Sequence, residues 1–222
     1  MSNNYMDDEL LINARKPVGK LGDELIDRMN ENHESLAQWS LNHLDISKDS
    51  AILDIGCGGG VNVKRFLDMT DNMVFGLDYS KLAVERSSDL NQSAIDDGRC
   101  KIVQGTVSKM PFNDNTFDIV TAFETVYFLP DFLNDLKEIR RVLKDGGIFF
   151  IANEAQPLEG DERQKHIIEL LDMNIYSGDE LSELLTQAGF GNVECHVKHS
   201  NDSFTGEDAD WVCLIAVNGK VI

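Results

Sequence analysis

Asp54, Gly56, Gly58 and Gly60 stand at alternate positions in AILDIGCGGGVNVKRF (residues 51–66), where an apolar run gives way to glycines and then to a helical pattern. Glycines in that place permit a sharp turn and let a ligand reach backbone N–H groups with no Cβ in the way. A phosphate loop of the NTPase kind needs GxxxxGK followed by Ser or Thr. Here the glycines run into Val61, Asn62 and Val63, and the GK of PVGKLGD follows no apolar strand. A dinucleotide loop needs GxGxxG, whose third glycine falls on Val61 when counted from Gly56 and on Val63 when counted from Gly58. The pattern that fits is DxGxGxG. Asp78 ends the next apolar run, GLDYS, at roughly the spacing of about 20 residues at which a neighbouring strand's carboxylate accepts from ribose hydroxyls. An ordinary turn or N-cap aspartate is the competing reading.

Positioning these residues requires a parallel sheet. From about residue 51 to 154, the short apolar runs AILDIG, MVFGLDY, KIVQGT, FDIVTAFE and GIFFIANE alternate with VNVKRFLDM, SKLAVERSSDLNQSAIDDG and FLNDLKEIRRVLKDGG, whose apolar residues recur at helical spacing. The last two of these helical runs end at glycine, the expected stop, and Ser80 is the expected N-cap of the first of them. Residues 155–177 contain no strand pattern and read as an excursion over one face, the kind of segment that shapes a pocket. SGDELSELLTQAGF reads as a capped helix, and NVECHVKHS and DWVCLIAVN as two final strands. A tight loop at residues 200–209 joins them as a hairpin, which puts an antiparallel strand at one edge. Ahead of the sheet, residues 1–48 carry Leu21, Leu25, Met29, Leu36, Trp39 and Leu44 at helical intervals, broken by Asn30, Glu31, Asn32 and His33.

The DxGxGxG run, the acidic strand end and the GG turn of LKDGG together resemble the class I S-adenosylmethionine-dependent methyltransferases, over about three quarters of the chain. The resemblance implies a Rossmann-like α/β fold: a seven-stranded, mostly parallel sheet with helices on both faces and an antiparallel last strand. One domain would span 1–222, with a helical lid at 1–48, a cofactor-binding core at 49–154, an insertion on the substrate side at 155–177, and a helix with two strands at 178–222. It implies S-adenosyl-L-methionine as cofactor and S-adenosyl-L-homocysteine as product. In this family the glycine turn faces the carboxypropyl part of the cofactor, whose carboxylate can meet backbone donors and a helix start. Asp54, Gly56, Cys57, Gly58 and Gly60 would form that wall, and Asp78 with Tyr79 the ribose wall. Gly105, Thr106 and Val107 stand where Gly-Asp-Ala is usual, so adenine would be met by the Thr106 hydroxyl and by main chain near Val107 and Ser108. Phe123, Glu124 and Tyr127, in TAFETVYFLPDF, fall where the family's chain passes beneath the sulfonium and the substrate. For Glu124 a helix-start acid or ion-pair partner is the alternative, and for Tyr127 it is packing. Asp145 replaces the usual proline of LKPGG.

Methyl transfer from a sulfonium is a direct displacement, so the protein mainly aligns the partners and excludes water, with a base needed only where the acceptor carries a proton. Glu124 and His33 are the candidate bases, His33 only if RMNENH folds over the cofactor. Composition favours a small-molecule acceptor. The chain has 222 residues, 39 Asp and Glu against 20 Lys and Arg, and a net charge of −19, which repels a nucleic-acid backbone. FETV also replaces the NPPY-like tetrapeptide of base amino-methylases, and no Pro-Cys pair offers the pyrimidine C5 nucleophile. No apolar run approaches the ~20 residues needed to span a bilayer. The polar start MSNNYMDDEL has no secretory pattern, so a cytoplasmic monomer or homodimer is expected. Cys57, Cys100, Cys195 and Cys213 form no CxxC pair, and in CHVKH two ligands on one strand face do not close a zinc site, so no metal is expected. Two competing classes stand: a non-catalytic module that keeps the cofactor pocket but binds another protein, and an NAD-linked oxidoreductase, whose fingerprint Val61 breaks.

Overall fold

The computed structural model describes residues 7–154, 157–158, 160–201 and 208–219. Three helices come first: α1 (Asp8–Leu11), α2 (Gly19–Asn32) and α3 (Glu34–Leu41), the last two separated at His33. Then β1 (Ile52–Ile55), α4 (Val61–Met69), β2 (Val74–Asp78), α5 (Lys81–Leu90), α6 (Gln92–Asp96), β3 (Cys100–Gln104) and β4 (Phe117–Phe123) follow in turn. After a single 3-10 turn at Val126–Phe128 come α7 (Phe132–Val142), β5 (Leu143–Asn153), α8 (Glu162–Leu171), α9 (Gly178–Ala188), β6 (Phe190–Asn201) and β7 (Asp208–Asn218). The seven strands form one sheet in the order β3-β2-β1-β4-β5-β7-β6. It is parallel except for β7, which pairs antiparallel with both β5 and β6. The antiparallel strand is therefore one place in from the edge, not on it as the hairpin reading had it. The rest of that expected loop, residues 202–207, lies outside the described residues.

Alternate strand residues feed two cores, because successive Cβ atoms leave a strand on opposite sides. Leu53, Val120, Phe149 and Leu214 meet α7 and α9 through Leu136, Ile139, Leu181 and Leu185. On the other face, Ile52, Ile119, Phe150 and Cys213 meet α3 and α4 through Leu36, Ala37, Val63 and Phe66. Covered on both faces, β1 is buried along its whole length, which is why it reads as an unbroken apolar run with one acid inside.

Local signals set most boundaries. Ser80 caps α5 by accepting from the Ala83 N–H, and Ser177 and Glu180 close a capping box on α9, which ends at Gly189 with φ +93. Of the two expected glycine stops, Gly98 closes the second helical run just past α6 at φ +72, whereas the third run ends before its glycines. The second helical run breaks at Asn91 into α5 and α6, because the Asn91 side chain donates to the carbonyls of Ser87 and Gly60 and holds the turn against the glycine loop. The α7 run stops at Val142, and Gly146 and Gly147 belong to β5. There the pairing steps from Phe117 and Leu143 to Ile119 and Ile148, a bulge that Gly146 accommodates at φ +77. Within 155–177, α8 is the regular element; Ala155, Gln156 and Glu159 of that segment lie outside the described residues.

The strand order reverses between β1 and β4. Ligands in open α/β sheets bind at such a switch point, outside the carboxyl ends of the strands, and those ends carry Gly56, Asp78, Thr106 and Glu124.

Candidate cofactor and substrate site

A cavity of about 360 Å³ opens there, within the usual range of small-molecule sites. Asp54, Gly56, Cys57, Gly58, Asp78, Tyr79, Thr106, Val107, Phe123, Glu124 and His33 all reach its wall. Gly60 does not. It starts α4 at φ +82, and a Cβ there would lie 2.3 Å from Ser87 Oγ, so its bareness lets α5 approach. Each of the other glycines has its own cause. A Cβ on Gly56 would lie 2.4 Å from Thr125 Oγ1, and one on Gly59 would meet Ile26 Cγ2 at 2.6 Å and Asn30 Nδ2 at 2.7 Å on α2. Gly58, at φ +50, would project its Cβ into open space, so it is the glycine whose missing side chain leaves room for a ligand.

The loop's amides are largely committed. Gly56 and Cys57 donate to the Leu77 carbonyl at 2.7 and 3.1 Å, and Gly60 donates to the Cys57 carbonyl at 2.9 Å. Gly58 donates to Asp78 Oδ2 at 3.0 Å. The expectation that this turn offers a row of backbone donors is thus corrected at these four positions: β2 and the turn itself consume them.

Two buried acids lie below. Asp54 is 2 % exposed and accepts from the Thr121 hydroxyl at 2.7 Å. Burial pushes its carboxyl up to about 7, with the Thr121 bond opposing. Asp78 is also buried. Its Oδ1 accepts from the Ser80 N–H at 2.8 Å, and burial raises its pKa while the Ser80 and Gly58 amides hold it back. Cys57 is a buried thiol held above its ordinary value by the same loss of solvent, so it offers no ready thiolate.

The segment from Ala14 to Pro17 adds Ala14, Arg15 and Pro17 to the wall. The Tyr79 hydroxyl donates to the Arg15 carbonyl, and the Ser80 hydroxyl donates to the Pro17 carbonyl at 2.8 Å. On the far side, Arg15 Nη1 binds the Leu171 carbonyl at 3.0 Å and Asp172 Oδ2 at 2.6 Å. Tyr79 therefore fastens that segment as well as lining the cavity. The Thr106 turn closes on the Lys109 N–H, and α7 clamps the loop behind it: Glu138 accepts from the Met110 N–H at 2.8 Å, and Arg141 donates to the Phe112 carbonyl at 2.8 Å.

At the end of β4, Glu124 adopts a left-handed backbone, φ +51, uncommon for a residue with a side chain. Its carboxylate is tied on both oxygens, Oε1 accepting from the Glu154 N–H and Oε2 from the Tyr127 hydroxyl. Tyr127 thus orients Glu124 and is itself absent from the cavity wall. The leading helices add Met29, Asn30, His33 and Glu34 to the wall, and the segment after β4 adds Phe128, Leu129 and Pro130.

Sequence reasoning missed Asn62 and Arg65, one helical turn apart on α4, which reach the wall together. Their spacing just past the glycines was the available signal. Arg65 ion-pairs with Glu34 and donates to Asn62 Oδ1. In the CHVKH strand, His199 binds Asp210 at 2.9 Å and His196 stacks on His43 with ring centroids 4.1 Å apart, both outside the cavity wall.

Comparison with known proteins bears on the sequence family and the fold. A family model described as a methyltransferase domain matches residues 53–151. Cycloartenol-C-24-methyltransferase of Arabidopsis thaliana is 32 % identical over 160 residues, covering 66 % of this chain and 46 % of that enzyme. The 27-O-demethylrifamycin SV methyltransferase of Amycolatopsis mediterranei is 30 % identical over 151 residues, covering 66 % of this chain and 56 % of its own. The chain spans about a third to about a half of the length of the curated relatives it matches. Among solved structures, the Haemonchus contortus phosphoethanolamine N-methyltransferase 2, bound to phosphomonomethylethanolamine and S-adenosylhomocysteine, superposes with a TM-score of 0.76 at 15 % identity, over 94 % of this chain and 61 % of its own. A geranyl diphosphate C-methyltransferase from Streptomyces coelicolor gives 0.69 at 15 % identity, over 90 % and 85 %. At that identity the likeness is one of fold.

Proposed function

We propose, from the match of residues 53–151 to a methyltransferase-domain family model, that the protein transfers a methyl group from S-adenosyl-L-methionine to a small, largely apolar acceptor. The observation that carries this reading is one cavity that joins the open Gly58 position, the Asp78 carboxylate and the Thr106–Ser108 turn. A ribosyl ligand fits that set: Asp78 is held by two amides at the end of β2, leaving its remaining lone pairs for hydroxyl donors. The cofactor supplies an electrophilic methyl on a sulfonium. The chain's own residues bind, orient and exclude water.

The other half of the cavity describes the acceptor. Met29, Phe123, Phe128, Leu129 and Pro130 give it an apolar wall with His33 at one side, where no other basic side chain comes from α2 or its break to α3. Sterol and rifamycin methyltransferases among the relatives and a geranyl diphosphate enzyme among the fold neighbours carry names that suit such a wall. Glu124, tied on both oxygens, places fixed negative charge beneath the reacting centre. His33 takes the proton when the nucleophile carries one.

Thermal unfolding with S-adenosylmethionine, S-adenosylhomocysteine and NADH tests the cofactor. Stabilisation by the two adenosyl ligands is expected, and stabilisation by NADH alone overturns the reading. Transfer of a labelled methyl to sterol, polyketide and prenyl acceptors against short polar amines tests the acceptor class, and turnover confined to the amines refutes the apolar assignment.

A further inference from the structure

The methionine end of the cofactor carries a carboxylate, and the structure narrows what can meet it. Four amides of the glycine turn, at Gly56, Cys57, Gly58 and Gly60, already donate within the protein. Across the turn the cavity is lined by the carboxylates of Glu34, Asp54, Asp78 and Glu124 and by two guanidinium groups, Arg15 and Arg65. A cation there favours an incoming carboxylate, because Glu34, Asp78 and Glu124 in the same cavity repel it. Arg15 is engaged at the far rim by the Leu171 and Asp172 carbonyls and by the Asp172 carboxylate. Arg65 lies on α4 next to the turn, near enough to Asp54 for its charge to pull the Asp54 pKa down. Its side chain is 20 % exposed, and its charge is met by Glu34, the first residue of α3, whose own side chain is 43 % exposed.

We propose that Arg65 anchors the α-carboxylate of the cofactor's amino-acid end, and that Glu34 occupies that guanidinium in the ligand-free protein until the ligand carboxylate displaces it. Guanidinium pairs with carboxylates through a planar fork, so one carboxylate can replace another on the same donors with no change in protein charge pattern. The exchange links two elements. α4 keeps Arg65 beside the glycine turn while α3 loses an ion pair, so binding loosens the leading helices at their break, where His33 lines the acceptor half. The inference rests on the methyltransferase reading and deepens it: it names the group that reads the amino-acid end.

Titration calorimetry with two ligands tests it. S-adenosylhomocysteine carries the carboxylate, whereas 5′-methylthioadenosine keeps the adenosine and sulfur without it. Arg65→Met is expected to weaken S-adenosylhomocysteine about tenfold or more, the loss of a charged hydrogen-bonded pair, and to leave methylthioadenosine unchanged. Glu34→Gln removes the competitor, so it should tighten S-adenosylhomocysteine severalfold and again leave methylthioadenosine alone. Equal effects on both ligands, or an unaltered S-adenosylhomocysteine affinity in Arg65→Met, overturn the assignment. Tightening absent in Glu34→Gln overturns the exchange. Arg65→Lys, which keeps the charge and loses the fork, covers the case in which the methionine variant fails to fold, and an intermediate loss is expected of it. A wild-type chain that binds neither ligand refutes the methyltransferase reading itself, and the inference with it.

Discussion

Replacing Asp78 by alanine perturbs two things at once, and the structure gives a way to separate them. Its carboxylate fastens the protein, accepting from Gly58 at 3.0 Å and Ser80 at 2.8 Å, and in the proposed complex it also accepts from the ribose. Removing it strands two backbone donors beside a buried wall, so loosening of the turn alone would weaken any ligand. Hydrogen bonds to a charged acceptor contribute about 1.5–3 kcal/mol each. Burial already raises the Asp78 pKa, which says that the carboxylate is held at a desolvation cost, so the ribose contribution belongs at the lower end, about 1–3 kcal/mol for the pair of hydroxyls. That corresponds to about 5- to 150-fold in affinity. The assay is calorimetric binding of S-adenosylhomocysteine and its 2′,3′-dideoxy analogue to wild type and Asp78→Ala. The substitution should weaken the parent by that factor more than it weakens the analogue. Equal weakening of both ligands would refute the ribose assignment and leave Asp78 as a fastener of the loop, and no weakening of either would remove it from the site.

Four other outcomes are expected. Asp54 is held near 7 by burial against an unfolded value of about 3.9, so the protonated form is the one the fold favours. Its contribution to stability is complete below about pH 4 and is lost as pH rises through about 7. Denaturation midpoints of wild type and Asp54→Asn should therefore diverge over that window, and parallel curves would show that Asp54 ionises normally. Binding of the cationic cofactor to the folded protein should strengthen as pH rises through about 7 in wild type and stay flat in Asp54→Asn. Gly56→Ala puts a Cβ 2.4 Å from Thr125 Oγ1 at φ +65, costing about 2–5 kcal/mol in urea unfolding from left-handed strain plus overpacking; a loss under about 0.5 kcal/mol would mean that the turn relaxes. Glu124→Gln leaves one of its two donors, Tyr127 or Glu154, facing an amide. It should lower stability by about 1–2 kcal/mol and slow methyl transfer while S-adenosylhomocysteine affinity holds, and an undiminished kcat would confine Glu124 to holding the strand end.

Much of this arrangement was legible in the sequence because it is local. Ser80 and the Ser177–Glu180 box mark helix starts within a few residues of themselves, and the apolar runs mark strands that are covered on both faces. DxGxGxG and Asp78 mark the switch point because each sits at a strand's carboxyl end. What escaped depends on contacts between distant segments. Val142 ends a helix that LKDGG was expected to carry on to glycine, because β4 pairing draws Leu143 into the sheet. The place of β7 between β5 and β6 depends on which side of the sheet the hairpin docks, a choice its own residues do not encode by spacing.

The glycines make the same point at the site. As a string they are alike, yet Gly56 makes room for Thr125, Gly59 for Ile26 and Asn30, Gly60 for Ser87, and Gly58 alone faces open space. Three of the four therefore serve packing among β4's end, the leading helix and α5, and only their joint effect shapes a binding turn. Because that packing also draws four of the turn's amides onto Leu77, Cys57 and Asp78, the proposed complex gives a side chain the main part in meeting a ligand carboxylate. Arg65, one residue before the buried Phe66 and unremarkable in the sequence, is the side chain proposed for that charge. A glycine motif thus locates the ligand, while the residues that discriminate its groups come from elements whose approach the motif permits.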